Sequence, residues 1–184
     1  MLVTNRHIHH GLIWEDYLAL PGTSFSGLSD KRPDNMGIRI GSLVHKYILK
    51  PGEYNYEHPE IVRPIANELI KFTGHSLIMR LACETAVTAT FTEGGFYFFW
   101  KGMPDMFLLD SIVFDFKIIN GSLANYLKRF NYKGQITGYM LGTNAKKGII
   151  IAYNKIRKKI EIAIFDLEDT RFWDEIVITR GSIL

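Results

Sequence analysis

"GMPDMFLLDSIVFDFKII" (102–119) holds acids and a lysine inside a run otherwise fit for a buried sheet. Side chains on a strand alternate between faces. Over 112–118, Asp115 and Lys117 therefore share a face with Val113, while Phe114, Phe116 and Ile118 take the other. The aromatic face suits a core. The opposite face sets a carboxylate beside an ammonium, with Cα atoms roughly 7 Å apart. Pro104 restricts Met103 to extended backbone just before Asp105. If 106–118 folds back as a hairpin, Asp105 and Asp115 converge.

Two carboxylates and a lysine at one point suit a definite task. Carboxylates are hard oxygen ligands for Mg²⁺, which keeps waters and takes phosphate oxygens. The metal brings hydroxide within reach of neutral pH and neutralises phosphate charge. A lysine orients the water or stabilises developing charge. The set is suited to metal-assisted phosphodiester hydrolysis. An isolated DxK triplet is far more often an ordinary ion pair, of Asp115 with Lys117 or a neighbour, because short motifs alone decide little.

The flanking elements set the class. "IRIGSLVHKYILKPG" places Ile40, Leu43, Val44, Tyr47 and Ile48 at helical spacing and stops at Pro51–Gly52. "PEIVRPIANELIKFTG" (59–74) reads as a helix, whole or divided near Pro64. "TAVTATFT" (85–92), "GFYFFWKG" (95–102) and "SIVFDFKII" (111–119) are dense in β-branched and aromatic residues. "EGG" at 93–95 reads as a hairpin turn. "SLANYLKRF" and "YKGQITGYMLG" look helical, "KGIIIAYNK" and "KKIEIAIFD" look like a strand pair, and "EDTRFWDEIVI" like a terminal helix. The order predicts a mixed α/β domain with a central mixed sheet flanked by helices. One domain spans 1–184: a loop-rich segment at 1–35, a core at 36–166, and a C-terminal helix and tail at 167–184.

Composition narrows the partners. The 184 residues are 47% apolar and 22% charged, with a net charge of +3, which permits a polyanionic partner without demanding one. Basic residues cluster at Lys128, Arg129 and Lys133, at Lys146 and Lys147, and at Lys155, Arg157, Lys158 and Lys159. Taken singly, each cluster is a solvated face or a turn tip. The single cysteine, Cys83, excludes a disulfide framework and a multi-cysteine zinc or iron–sulfur site. No apolar run reaches membrane-spanning length, and "MLVTNRHIHHGL" lacks a signal-peptide core, so a cytoplasmic protein is expected. "HIHH" (7–10) reads as a polar N-terminal segment rather than a metal site. No GxxxxGK[ST] motif occurs, so no ATP-driven step is expected.

"GMPD", nine residues and "DFK" resemble the signature of the PD-(D/E)XK nucleases, with aspartate in the second acidic position. "QITGY" (135–139) is similar to the QxxxY motif of the RecB-like and lambda-exonuclease-like branches. "GSLVHKYILKPGEY" resembles their N-terminal helix, and "YLALPGTSFSGLS" and "RFNYKGQITGYM" resemble segments of RecE-type exodeoxyribonuclease domains. The resemblance runs in order from about residue 17 to 155. It departs after Lys117, where Ile118 and Ile119 replace small or hydroxyl residues.

The resemblance implies a restriction-endonuclease-like core and a set of roles. Asp105, Asp115 and the Phe116 carbonyl are metal ligands, and Lys117 positions the attacking water. Glu84 supports the metal or binds a second one. His45 binds the metal or its waters. Gln135 and Tyr139, one helical turn apart and so on one face, hold DNA phosphate or buttress the site. Ser24 and Ser26 sit near the substrate end. The resemblance further implies a Mg²⁺-dependent exonuclease (Mn²⁺ substituting) on linear duplex DNA. It attacks 5′ ends, forms a homo-oligomer and hands its product to a single-strand annealing protein, in phage-type recombination. Alternatives are an endonuclease or end-trimmer on the same fold, a catalytically inactive DNA- or protein-binding module, and a phage scaffold with a coincidental signature.

Overall fold

The computed structural model describes residues 1–10, 12, 14–24, 36–49, 57–78, 81–83, 85–168 and 170–183. In chain order these form β1 (Leu2–His9), α1 (Trp14–Ala19), α2 (Met36–Leu49), α3 (Pro59–Thr73), α4 (His75–Ile78), β2 (Ala82–Cys83), β3 (Ala86–Glu93) and β4 (Phe96–Gly102). There follow β5 (Met106–Leu108), β6 (Ile112–Ile119), α5 (Leu123–Phe130), α6 (Tyr132–Thr143), β7 (Lys147–Asn154), β8 (Lys159–Asp166), α7 (Arg171–Arg180) and β9 (Ser182–Ile183). The class is mixed α/β, as the strand and helix patterns predict. Among the described residues no helix is long and apolar enough to cross a membrane.

The strands divide over two sheets. A mixed sheet runs β2-β5-β6-β7-β8, with β6 and β7 parallel and the other pairs antiparallel. An antiparallel sheet runs β1-β3-β4-β9. The break falls between β4 and β5, at Met103–Pro104. Proline has no N–H for a ladder bond, so the chain leaves one sheet there and enters the other. The β3–β4 turn is the expected one: Glu93 pairs with Phe96, and Gly94 and Gly95 sit at φ 56° and 81°. That is the geometry a two-residue hairpin loop needs.

Alternation on β6 and β7 feeds two cores. Phe114, Phe116, Ile151 and Tyr153 pack with Ile40, Val44 and Ile48 of α2 and Val62, Ile65 and Leu69 of α3. Helix α3 is one piece, with Pro64 inside it. On the other face Val113, Ile119, Ile150 and Ala152 meet Ile136, Tyr139 and Met140 of α6. Helix α6 is buried along most of its length and packs against strands of both sheets. Such a helix needs narrow faces. A β-carbon at Gly138 would run into the Trp173 ring, and one at Gly142 into the Trp100 ring. Trp173 also donates from Nε1 to the Gly134 carbonyl at 2.9 Å.

Two elements differ from expectation. The first residues are no lead-in: β1 pairs with β3, and His9 Nε2 lies 3.0 Å from Thr88 Oγ1. The period-2 signal is broken because the register shifts between Thr4 and His7, with Asn5 at φ 52°. Segment 14–24 is also structured. Thr23 bridges Trp100, with its N–H donating to the Phe99 carbonyl at 2.8 Å.

Candidate active site

The β5–β6 hairpin brings the two aspartates together. Its register pairs Met106 with Phe114, Phe107 with Val113 and Leu108 with Ile112. Continued by one residue, that ladder sets Asp105 opposite Asp115. Asp105 is held there by its Oδ2, which accepts the Phe116 N–H at 2.5 Å. Both acids are buried, at 8% and 3% exposure. Burying two carboxylates so close together is costly unless cations or donors compensate.

Two cations from the chain supply the compensation. Lys117 Nζ lies against Asp115 Oδ2 as an ion pair. Among the described residues Lys117 is the cationic partner of this buried oxygen. Lys117 Nζ also sits 5.2 Å above the Tyr132 ring. His45, from α2, places Nδ1 3.1 Å from Asp105 Oδ1 and its ring edge-on to Phe116.

The titration directions follow from this packing. Burial pushes Asp115 up, and Asp105 adds to this, against the pull of Lys117 and His45. Burial also works against the Asp105 charge, but His45, Lys117 and the Phe116 N–H hold that carboxyl below its ordinary range. Burial disfavours both cations too, yet Asp105 raises His45, and Asp115 and Asp105 raise Lys117. Tyr139 is held well above the usual phenol range by burial and by the charges of Asp115 and Asp105.

Helix α6 closes one side. Gln135 Nε2 donates to the Tyr139 hydroxyl at 3.2 Å, so these two residues act as a pair on one face. Ser24 shares a hydrogen bond with Tyr17, whose buried phenol in turn acts on Tyr139. Glu84 and Ser26 lie outside the described residues.

Tyr17, Tyr132 and Lys101 belong to this neighbourhood and were not in the sequence-derived set. Lys101 is buried, and its Nζ donates to the carbonyls of Tyr17, Leu18 and Leu20 at 3.2, 2.9 and 2.9 Å. These are carbonyls at and just beyond the C-terminal end of α1, where a helix leaves acceptors unmatched. Lys101 thus pins segment 14–24 beside the acids. The only sequence cue is a lysine ending the apolar run "FYFFW". Lys101→Met is expected to cost about 2 kcal/mol, because charged hydrogen bonds to three carbonyls are lost. For a chain of this size that is a fall of roughly 4–8 °C in Tm, read by calorimetry. Faster amide exchange confined to 14–24 is the accompanying sign, and an unchanged exchange pattern there rejects the pinning role.

The donor set fits a hard divalent cation. It offers two buried carboxylates set opposite each other beside the Phe116 backbone, and such oxygen donors are what Mg²⁺ takes. Among the described residues no group of three or more His, Cys, Asp and Glu gathers as a ready metal cage. A Mg²⁺ site built on one or two carboxylates plus substrate phosphate does not need one.

No family model matches the chain, and no curated protein matches it. Among solved structures it is similar to the crystal structure of SSO0001, at TM-score 0.47 and 16% identity over 90% of this chain and 83% of that one. It is also similar to a phage-related exonuclease from Haemophilus somnus 129PT, at TM-score 0.41 and 16% identity over 85% and 82% of the two chains. An alkaline exonuclease from Laribacter hongkongensis matches at TM-score 0.39 and 12% identity, over 88% and 86%.

Proposed function

We propose that the chain is a Mg²⁺-dependent deoxyribonuclease acting at the ends of linear duplex DNA, with 5′ to 3′ polarity. The observation that carries the hydrolytic chemistry is the cross-strand meeting of Asp105 and Asp115, with Lys117 on the same strand as Asp115; action at duplex ends and its polarity rest on the sequence resemblance alone. An ordinary ion pair explains Asp115 and Lys117 alone. It does not explain a second buried acid set opposite and tied to the Phe116 N–H.

Asp105, Asp115 and the Phe116 carbonyl would hold the metal, and His45 supports Asp105 through its Oδ1. Glu84 is assigned to the metal's support and Ser26 to the substrate end on sequence grounds alone. Mg²⁺, when bound, withdraws charge from the phosphate and eases loss of a proton from the attacking water. Lys117 exchanges its contact with Asp115 for the phosphate and the water, placing a positive charge where negative charge develops. Tyr139 stays protonated and takes a hydrogen bond at its oxygen from Gln135, which leaves its own O–H to donate to a phosphate oxygen of bound substrate. Ser24, bonded to Tyr17, lines the substrate end of this wall.

The test is digestion of linear duplex labelled at the 5′ or the 3′ end, beside a closed circle, in Mg²⁺ or EDTA. Mg²⁺-dependent release of 5′ label from the linear duplex alone is expected. Cutting of the circle makes the protein an endonuclease. No cleavage in Mg²⁺ or Mn²⁺ leaves a binding module and ends the catalytic reading.

A further inference from the structure

We infer that the β7–β8 turn is a preformed contact for the phosphate backbone of duplex nucleic acid, three to four nucleotide steps from the scissile bond. The inference rests on the nuclease reading for the position of that bond.

The topology separates the basic clusters. Strands β6 and β7 are parallel, pairing Lys117 with Ala152 and Ile119 with Asn154. Strand β8 returns antiparallel, pairing Asn154 with Lys159 and Lys147 with Asp166. The turn carrying Lys155, Arg157, Lys158 and Lys159 therefore lies at the same end of the sheet as Lys117. Lys146 and Lys147 lie at the opposite end, where Lys147 Nζ is 2.6 Å from Asp166. One of the two clusters is placed toward the site, and the other is placed away from it and partly neutralised.

The turn is rigid by construction. Asn154 is fully buried, and its Oδ1 accepts from the N–H groups of Ile156 and Arg157, both at 3.1 Å. Its amide donates to the Gly121 carbonyl and to Glu161, both at 2.8 Å. The Lys155 N–H donates to the Ile119 carbonyl at 2.9 Å, tying the turn to the strand that carries Lys117. A tip fixed this way loses little entropy on binding.

Its charge is weakly opposed. Glu161 is the carboxylate beside the turn, and its oxygens are already engaged by the Leu123 N–H at 2.7 Å and by Asn154. Arg157 reaches it only at 3.9 Å, and Arg157, Lys158 and Lys159 are exposed. At about 3.3 Å per residue, Lys155 stands roughly 10 Å along the strand from the level of Lys117, and the tip a little further. Duplex DNA advances about 3.4 Å per step on each strand, which gives the three to four steps.

The test is anisotropy of a fluorescein-labelled 20-base-pair duplex in EDTA, over a range of salt, so that no cleavage occurs. Lys155→Gln/Arg157→Gln/Lys158→Gln is compared with the parent protein and with Lys146→Gln/Lys147→Gln. Each phosphate contact contributes about 0.9 to the slope of log K against log salt. The turn variant is expected to lose about 2–3 from that slope, and the far-end variant less than about 1. An unchanged slope in the turn variant, an equal loss in the far-end variant, or no duplex binding by the parent each overturns the proposal. Cleavage is scored separately in Mg²⁺. A parent that shows the slope difference but does not cut retains the surface and loses only the nuclease reading.

Discussion

Asp115→Asn is expected to lower Mg²⁺-dependent release of label from linear duplex by at least about 10²–10³-fold, the range seen when one preorganised electrostatic group is removed from a site. Asparagine keeps the volume of a side chain that is 3% exposed, so the packing on its own face of β6, shared with Val113 and Lys117, stays filled. What changes is the charge available to a divalent ion. Wild-type protein at about 100 times the Kd of Mn²⁺ gains roughly 2.7 kcal/mol, or about 5–10 °C in Tm at this length. Asp115→Asn is expected to gain none of it. The pH dependence has a defined sign. A ligand carboxylate must be deprotonated to bind metal. Burial pushes Asp115 up, whereas His45 and Lys117 hold Asp105 down despite its own burial. As pH falls, the wild-type metal shift shrinks first through protonation of Asp115. Differential scanning fluorimetry with Mn²⁺ at several pH values reads both effects. An Asp115→Asn protein that still cuts, or that keeps its Mn²⁺ shift, rejects Asp115 as a ligand.

The acids were legible in the sequence because strand alternation is local. Period 2 on 112–118 separates Asp115 and Lys117 from Phe114 and Phe116, and the two faces feed different surroundings. The meeting with Asp105 was legible as a condition, since it required only that the chain fold back over a short span. What stayed hidden is long-range. The strand β1 was missed because its register shift at Thr4–His7 removes the alternation that marks a strand. Lys101 ends a run of aromatics, and only the fold shows that its ammonium reaches the carbonyls of Tyr17, Leu18 and Leu20, about 80 residues earlier in the chain. The division into two sheets depends on where Pro104 interrupts pairing. The same residue was read from sequence only as a local restraint on Met103.

Lys117→Met is expected to separate catalysis from metal binding, because its two effects have opposite signs. On the proposed nuclease function, removing the ammonium takes away the charge assigned to the phosphate, and cleavage is expected to fall about 10²–10³-fold. The same ammonium lies against Asp115 Oδ2, so on the same proposal it would compete with a divalent ion for that oxygen. Without it, Asp105 and Asp115 face each other with, among the described residues, His45 as the remaining partner. The metal-free protein is then expected to lose about 3 kcal/mol, the usual cost of leaving one member of a buried pair unmatched. Methionine keeps an unbranched stem in the same place and gives up the cation–π contact with Tyr132 together with the ion pair, so the loss is mainly electrostatic. Divalent metal relieves it, so the Mn²⁺-induced rise in Tm is expected to exceed that of the wild type. A role for Lys117 confined to structure predicts lower stability with a wild-type cleavage rate once Mn²⁺ is saturating. A role as a metal-site positioner predicts that the Mn²⁺ shift falls together with activity. Only a group that competes with the metal in the resting protein and acts on the phosphate during the reaction gives lower cleavage with a larger metal shift. Single-turnover cleavage and Mn²⁺ titration of the one variant decide among the three.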